Sequence, residues 1–302
     1  MSRKWNIGLA ALAVAVLCAG AAIAGEKKVS VGYVVQDLGN QYWVAMAEGV
    51  KSRAAELGWD VTVLDTRTDP ARELANTEDL IEKGIDYLLV SPWDPDSGAT
   101  VVEAANKAGV PVAILDIGVA SGDVDTFIIS ENYEGGRIAG EYVAGLLGNK
   151  GKVASIESNP GYVIVALRNK GFLDVMAEKG IECVARQHAD GQRSLGMTIM
   201  QNMLQANPDL NAVFCMSDEA ALGALEAVDA AGLKGKVHVV GFDGTSDALQ
   251  SIKDGGMSAT IAQQPFDIGV MGVDAAAKML SGGENPETTY VPVKLITKKD
   301  LE

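Results

Sequence analysis

The polar and aromatic residues of this sequence recur directly after short runs that are rich in valine and isoleucine. Such runs predict parallel strands, and ligands of open parallel sheets bind beyond the carboxyl ends of the strands, where loops and helix N-termini converge. The binding or catalytic chemistry is therefore expected in the segments 36–43, 65–69, 91–94, 158–162, 190–193 and 217–219, and at Asp116 and Asp243.

The residue types in these segments suit a small polyhydroxylated ligand. A monosaccharide has apolar C–H faces and a ring of hydroxyls, so its site needs flat aromatic walls and charged or amide groups at the edge. Tyr42 and Trp43 follow a turn at Gly39 and Asn40 and would supply such walls. Carboxylates and arginine suit the edge of such a site, because hydrogen bonds to ionised groups contribute about 1.5–3 kcal/mol each. Spacing alone leaves open whether the two rings face a ligand or pack beneath the loop.

Few residues or motifs in the sequence suit a catalytic or a metal-binding site. The two histidines, His188 and His238, both fall within predicted strands. The segment GLLGNKGKV (145–153) differs from a phosphate loop, because its spacing is one residue too long and it ends on valine instead of a hydroxyl residue. DPDSG (94–98) lacks the distal glutamate of a calcium loop and predicts a helix N-cap instead. We therefore predict no catalytic residue, no metal site and no cofactor.

The amino-terminal residues have the features of an export signal. Arg3 and Lys4 precede an almost unbroken apolar run at 7–23, and Ala22–Ala24 fits the small-x-small pattern of signal peptidase sites. These features predict a signal peptide at 1–24 and a mature protein in the periplasm. The alternatives are a membrane anchor and, through Cys18, a lipid-attached protein.

The charge and the cysteines narrow the class of protein further. The sequence has 25 basic and 40 acidic residues, a formal net charge of -15, which argues against nucleic acid as a partner. Cys183 and Cys215 lie in apolar segments, so we predict buried free thiols rather than a disulfide.

Strand and helix patterns alternate along the chain in two successive sets. The first set has predicted strands at 29–35, 59–65, 86–91, 110–116 and 126–130, and the second at 152–158, 181–189, 212–217, 236–243 and 258–264. They lack period-two alternation, as expected for parallel strands covered by helices on both faces. The pattern predicts an α/β protein with two doubly wound parallel-sheet lobes and a crevice between them. The last apolar stretch, 289–297, indicates that the chain crosses back between the lobes.

The order of motifs along the chain resembles that of the ribose-type (type I) periplasmic sugar-binding proteins of ABC importers, and also that of their relatives, the LacI-type repressors. The motifs are LGNQYW (38–43), LANTEDLIEKGIDYLLVSPWD (74–94), PVAILD (111–116), ISENYEGGRIAGEY (129–142), LRNKGF (167–172), MSDEAALGALEA (216–227), VVGFDGT (239–245) and ATIAQQPFDIG (259–269). The repressors carry an N-terminal helix-turn-helix, whereas this chain begins with an export signal. The resemblance therefore implies an exported binding protein.

The resemblance also implies an architecture and partners. It implies a hinge of three strands near 130–132, 262–265 and 291–293, which divides the chain into an N-terminal lobe (25–130 plus 264–291) and a C-terminal lobe (131–263 plus 292–302). The expected partners are a sugar or polyol and the membrane permease of an ABC importer. We expect a monomer, and a chemoreceptor is a further possible partner.

Residues at the positions of the family's ligand contacts occur in both lobes, with Ser91 and Ser217 where the ribose binders have asparagine. They are Asn40, Tyr42, Trp43, Ser91, Asp116, Arg168, Ser217, Asp243 and Gln263. The arginine that follows the fourth-strand aspartate in ribose binders is Ile117 here, the second-lobe aromatic falls near Gly191, and Trp93 adds bulk beside the site. These departures place ribose in doubt, and leave another pentose, a hexose, a deoxy sugar or a linear polyol as expected ligands.

Two other functions remain open at the level of sequence. An exported α/β enzyme acting on a sugar would use Asp116 and Asp243 as general acid and base, provided that the two carboxyl groups flank the scissile bond. A receptor for chemotaxis or for a signal sugar would share the whole scaffold and differ only in its ligand and its partner.

Overall fold

The structure is a computed structural model that describes residues 28–157, 163–189 and 191–302. The predicted signal peptide, including Cys18, lies outside the described residues, as do the segment 158–162 and Asp190. Among the described residues, no helix is long and apolar enough to cross a membrane.

Strands and helices alternate through the described residues and are numbered in chain order. The strands are β1 (Ser30–Val35), β2 (Asp60–Asp65), β3 (Tyr87–Val90), β4 (Val112–Leu115), β5 (Thr126–Ser130), β6 (Lys152–Glu157), β7 (Glu182–His188), β8 (Ala212–Cys215), β9 (His238–Asp243), β10 (Ala259–Ala262), β11 (Thr288–Val291) and β12 (Lys294–Thr297). The helices are α1 (Gln41–Glu56), α2 (Pro70–Glu82), α3 (Pro95–Ala108), α4 (Asn132–Leu146), α5 (Val163–Lys179), α6 (Arg193–Ala206), α7 (Asp218–Ala230), α8 (Ser246–Lys253) and α9 (Pro265–Leu280).

The strands form two separate sheets of similar design. The first has the order β11-β5-β4-β3-β1-β2 and is parallel throughout. The second has the order β12-β10-β9-β8-β6-β7, in which only β12 runs antiparallel to its neighbour. Strand order reverses beside β1 in one sheet and beside β6 in the other, which is where doubly wound sheets bind ligands. The predicted pair of doubly wound sheets is confirmed.

Within the described residues, the chain passes between the sheets after β5, after β10 and after β11. The first and third passages lie side by side, because Ser130 pairs with Val291 and the amide of Glu131 donates to the Val291 carbonyl oxygen at 3.0 Å. These passages confirm the predicted hinge of three strands. The apolar stretch 289–297 is two strands rather than one, since β11 and β12 belong to different sheets.

The central strands are buried on both faces, which explains why their sequences do not alternate. Every residue of β3, β4 and β8 is buried. Cys215 at the end of β8 is a buried free thiol, and Cys183 in β7 is a half-buried one, so the prediction of free thiols is confirmed. The predicted N-cap in DPDSG is confirmed at Asp94, whose carboxylate accepts from the amides of Asp96 and Ser97.

Three helix pairs approach so closely that glycine is required at the contact. A Cβ atom at Gly136 in α4 would lie 1.9 Å from the carbonyl oxygen of Arg168 in α5, and one at Gly171 would lie 2.1 Å from that of Tyr133. Helices α1 and α9 have the same reciprocal arrangement at Gly49 and Gly269. Helices α6 and α7 have it at Gly196 and Gly223. Small residues at these positions set the distance between the helices and, in α4 and α5, the position of Arg168.

Two glycines of α4 are expected to respond to the same substitution with opposite signs. Gly136→Ala should lower the free energy of unfolding by about 1–3 kcal/mol, because the added methyl group forces α4 and α5 apart. Gly145→Ala should raise it by about 0.5 kcal/mol, because no atom lies within 4 Å of the new Cβ and alanine favours helix. Urea denaturation of both variants measures the difference. Equal effects of the two would contradict the close approach of the helices.

Candidate functional site

Five of the predicted site residues are joined in one hydrogen-bond network at the carboxyl ends of the two sheets. The network contains Tyr42, Asp116, Arg168, Asp243 and Gln263. Tyr42 and Asp116 follow strands of the first sheet, and Asp243 ends a strand of the second. The network therefore draws its members from both halves of the molecule.

The first sheet contributes a paired phenol and carboxylate. Asn40 is the N-cap of α1 and its Oδ1 accepts from the amide of Tyr42 at 2.9 Å, which fixes the start of the helix. The Tyr42 hydroxyl donates to Oδ1 of Asp116 at 2.8 Å. Burial, followed by the charge of Asp116, raises the pKa of Tyr42 well above its ordinary value, so the phenol stays protonated and donates. The backbone of Asp116 is left-handed, with φ of 72°, and directs its side chain away from the strand.

Arg168 on α5 is held by several acceptors at once. Its Nε donates to Oδ1 of Asn132 at 2.7 Å, and its Nη1 donates to the carbonyl oxygen of Met216 at 3.0 Å and to Oδ1 of Asp243 at 3.2 Å. The guanidinium also lies 3.9 Å above the ring of Phe242. Removal of this side chain would leave buried acceptors unpaired, so Arg168 contributes to the fold as well as to the candidate site.

Gln263 connects the two halves, because it lies at the second passage of the chain. Its Oε1 accepts from the hydroxyl of Ser130 at 2.8 Å and lies 3.3 Å from the hydroxyl oxygen of Tyr42, while its Nε2 donates to Oδ1 of Asp243 at 2.8 Å. Sequence reasoning missed Ser130 and Asn132, which flank the first passage and orient Gln263 and Arg168. The signal for them was available, since both fall within the predicted hinge segment.

The electrostatics of the network favour a ligand that offers hydroxyl groups. Burial raises the pKa of Asp116, and hydrogen bonding from Tyr42 and the charge of Arg168 partly offset this effect. Burial likewise raises the pKa of Asp243, and Arg168 and Gln263 oppose the rise. Arg168 thus bonds to the Asp243 carboxylate and opposes the rise in the pKa of Asp116 through its charge, in a site of restricted solvent access. Hydroxyls that donate to the carboxylates and accept from the guanidinium would stabilise these charges.

Two of the predicted site residues point into the interior rather than into the network. Trp43 is 5% exposed and belongs to the core of the first sheet, where it packs edge-on against Tyr42 with 4.9 Å between ring centroids. Ser91 is fully buried, and its hydroxyl bonds to that of Tyr33 at 2.9 Å and donates to the sulfur of Met46. The reason is that Trp43 lies on the face of α1 that packs on the first sheet, and Ser91 directly follows β3, whose residues are all buried.

The remaining predicted residues lie around the network without joining it. Asn40 is exposed at the start of α1. Ser217 is the N-cap of α7, its Oγ accepting from the amide of Ala220 at 3.3 Å, and it lies beside the open surface of Gly191. Trp93 is half-buried, and its carbonyl oxygen accepts from Nε2 of Gln36 at 3.2 Å.

The described residues offer little for metal or histidine chemistry. Among them, no group of three or more His, Cys, Asp and Glu side chains is placed so that it could hold a metal ion. His188 is exposed in β7, and His238 lies at the amino end of β9 with its Nδ1 3.0 Å from the hydroxyl of Ser258. His238 is therefore at the opposite end of its strand from Asp243.

Glu73, which was not identified from the sequence, has a buried carboxyl group that contacts the loop containing Trp93. Its Oε2 accepts from the amide of Trp93 at 2.9 Å and from the hydroxyl of Ser97 at 3.3 Å, whereas its Oε1 has no hydrogen-bond partner. Burial raises the pKa of Glu73 to about 7. Because the folded pKa lies above the unfolded one, its contribution to stability is complete below about pH 4.5. The contribution is lost as the pH rises through about 7.

The substitution Glu73→Gln should therefore flatten the dependence of stability on pH. The fall in the free energy of unfolding between pH 5 and pH 8 should be smaller than in the wild type by about 2 kcal/mol. Denaturation at a series of pH values gives this difference directly. Glu78→Gln, an exposed position on the same helix, serves as the control. An unchanged slope in Glu73→Gln would show that Glu73 does not titrate in this range.

Comparison with known proteins agrees with the fold. Residues 31–284 match the model of the periplasmic binding protein domain family. The ribose import binding protein of Bacillus subtilis (strain 168) is 40% identical over 274 residues, which cover 91% of this chain and 89% of the relative. The D-allose-binding periplasmic protein of Escherichia coli (strain K12) is 32% identical over 282 residues, covering 88% and 91%.

Solved structures show the same likeness in three dimensions. A solute-binding protein of an ABC transporter from Actinobacillus succinogenes with bound D-allose has a TM-score of 0.84 at 29% identity, covering 91% of this chain and 99% of that one. A periplasmic ribose ABC transporter protein from Conexibacter woesei has a TM-score of 0.87 at 27% identity, covering 91% and 93%. The family model covers well over half of the chain, and the chain therefore belongs to the periplasmic binding protein family.

Proposed function

We propose that this protein is the receptor of an ABC importer and captures a monosaccharide or related polyol between two lobes. The observation that carries the proposal is the network that joins carboxylates from both sheets: Asp243 accepts from Arg168 and Gln263, and Asp116 is connected to them through the Tyr42 hydroxyl. Relatives named as ribose and allose binding proteins, and neighbours solved with bound sugars, support the ligand class. The protein binds its ligand and does not transform it.

Binding closes the two lobes on the ligand. In this proposal the lobes are residues 25–130 with 264–291 and residues 131–263 with 292–302, and they rotate about the three passages of the chain. A ligand that touches both lobes has its full contacts only in the closed form, so it shifts the equilibrium towards closure. The permease then recognises the closed face.

The ligand contacts are assigned as part of this proposal. Tyr42, Asp116, Arg168, Asp243 and Gln263 bond to the hydroxyls of the ligand, and Asn40, Trp93 and Ser217 border it. Trp43 and Ser91 support Tyr42 and Asp116 from beneath.

Ile117 narrows the choice of ligand, because it packs against the core of the first sheet and leaves Asp116 without a neighbouring cation on that side. Neutral ligands with several adjacent hydroxyls fit this site. They include pentoses, hexoses and cyclitols such as the myo-inositol bound by a structural neighbour from Bacillus halodurans.

The place and partners of the protein are part of the same proposal. A signal peptide at 1–24 delivers it to the periplasm, where it acts as a monomer and serves one permease. A chemoreceptor is a second partner of the same closed face. A role in chemotaxis as well as import requires that the closed form bind a chemoreceptor. A binding assay with the purified ligand-binding domain of the chemoreceptor tests this.

A thermal-shift screen of pentoses, hexoses and polyols tests the proposal. At a ligand concentration of 100 times Kd, a ligand that binds only the folded state adds about 2.7 kcal/mol to stability. We expect a saturable rise in melting temperature for at least one sugar, and that sugar should be recovered unchanged. Consumption of the sugar would support the enzyme alternative, and a screen without any shift would contradict sugar binding.

A further inference from the structure

Asp218 is a fully buried carboxylate that lies next to the site without belonging to it. It follows Ser217 as the first residue of α7 and is 0% exposed. Its Oδ2 accepts from the amides of Gly244 at 2.8 Å and Thr245 at 2.7 Å and from the hydroxyl of Thr245 at 3.1 Å. Its Oδ1 accepts from the hydroxyl of Thr260 at 2.7 Å. Most of its hydrogen bonds therefore go to a single turn, the one that follows β9.

That turn carries Asp243 and has an unfavourable backbone. Asp243 has φ of 124°, a region that residues other than glycine seldom adopt, and Gly244 has φ of 81°. Such a conformation persists only where the surroundings determine it, and the two amides that follow Asp243 are bound by one carboxylate. The conformation in turn directs Oδ1 of Asp243 towards Arg168 at 3.2 Å and Gln263 at 2.8 Å.

The carboxylate of Asp218 is packed tightly against the neighbouring strands. A Cβ atom at Gly241 in β9 would lie 2.3 Å from Oδ1 of Asp218, so the carboxylate packs directly on the backbone of that strand. Its contact with Thr260 adds the neighbouring strand β10, which leads to Gln263. Asp218 thus connects α7 to both strands that deliver Asp243 and Gln263 to the network.

We propose that Asp218 is a positioning residue for sugar binding, which fixes the turn at 243–245 so that the Asp243 carboxylate meets Arg168, Gln263 and the ligand. The proposal rests on the sugar-binding function proposed above. It differs from a purely structural role in one respect: the effect of Asp218 on affinity is transmitted through Asp243 and disappears when Asp243 no longer binds.

A double-mutant cycle on the full mature chain tests this dependence. Titration calorimetry with D-ribose, D-allose and myo-inositol gives the affinities of wild type, Asp218→Ala, Asp243→Asn and the double variant. Asp218→Ala should weaken binding by about thirtyfold or more in the wild-type background, and by less than about threefold in the Asp243→Asn background. A full effect in both backgrounds, or none in the wild type, would overturn the proposal.

Two further variants keep the test informative if Asp218→Ala does not fold. Asp218→Asn retains an oxygen for the two amides and should weaken binding by about three- to tenfold, again only while Asp243 is present. Asp229→Asn, at the exposed other end of α7, is the matched control and should bind as wild type does. Equal affinities of Asp218→Asn and wild type would contradict the positioning role.

Amide resonances separate failure of this proposal from failure of sugar binding. Backbone NMR of the ligand-free protein should show the amide protons of Gly244 and Thr245 far downfield in the wild type and shifted upfield in Asp218→Asn. If no sugar or polyol of the thermal-shift screen binds the wild type, the proposed function fails, and these resonances decide whether Asp218 holds the turn. Unchanged resonances would refute that role independently of any ligand.

Discussion

Replacement of Asp116 by asparagine should weaken sugar binding by at least about a hundredfold. The bond from Tyr42 uses one of about four acceptor positions of this carboxylate, so the others are available to ligand hydroxyls. Each hydrogen bond to an ionised acceptor contributes about 1.5–3 kcal/mol, and two of them account for the expected loss. Titration calorimetry with the sugar identified in the screen measures it.

The same variant should leave the ligand-free protein at least as stable as the wild type. Burial raises the folded pKa of Asp116 above its unfolded value. The stabilising contribution of such a group is complete below the unfolded pKa and is lost as the pH rises through the folded pKa. At neutral pH asparagine therefore removes a buried charge and keeps an acceptor for Tyr42. Asp254→Asn, on the exposed end of α8, is the control, and a similar loss of affinity in both variants would remove Asp116 from the site.

Replacement of Trp43 by alanine should lower the free energy of unfolding by about 3–5 kcal/mol, because a large ring leaves a cavity in the core of the first sheet. Affinity should fall by less than about tenfold, since Trp43 acts by supporting Tyr42 edge-on. Denaturation and calorimetry of the same preparation separate the two effects.

Trp59 provides the matched control for Trp43. It packs against the same core but is half-buried and lies before the amino end of β2, far from the network. Trp59→Ala should therefore cost less stability and leave affinity unchanged. If Trp43→Ala kept its stability and lost binding selectively, the ring would be a wall of the ligand site and its assignment to the core would be wrong.

Patterns of apolar residues predicted the two sheets well, because strands covered on both faces leave a strong and simple signal. The same patterns could not divide 289–297 into β11 and β12, since only two residues, Pro292 and Val293, separate strands of different sheets. Segment boundaries of this kind depend on tertiary pairing and not on local composition.

The site was predictable in its charged members and not in its supports. Asp116 and Asp243 were identified because polar residues at the ends of buried strands are conspicuous, and Arg168 because its motif matches a known family. The rings of Tyr42 and Trp43 could not be told apart, because adjacent residues in a helix point in different directions and the sequence does not give the phase of the helix. Glu73 had no signal, since an acidic residue in a first helical turn looks like ordinary N-terminal charge. Asp218 lay within the predicted segment 217–219, but nothing in the sequence indicated its partners.

The last strands of the chain have a consequence for how the protein is made. β11 and β12 are separated by two residues, yet each forms the edge of a different sheet. Helix α9, which packs on α1, also comes after the whole second sheet except β12. On the ribosome, neither half has its full set of strands until residues 288–297 emerge. Domains usually fold one after another during synthesis. Here both halves are completed by the same short segment of the chain.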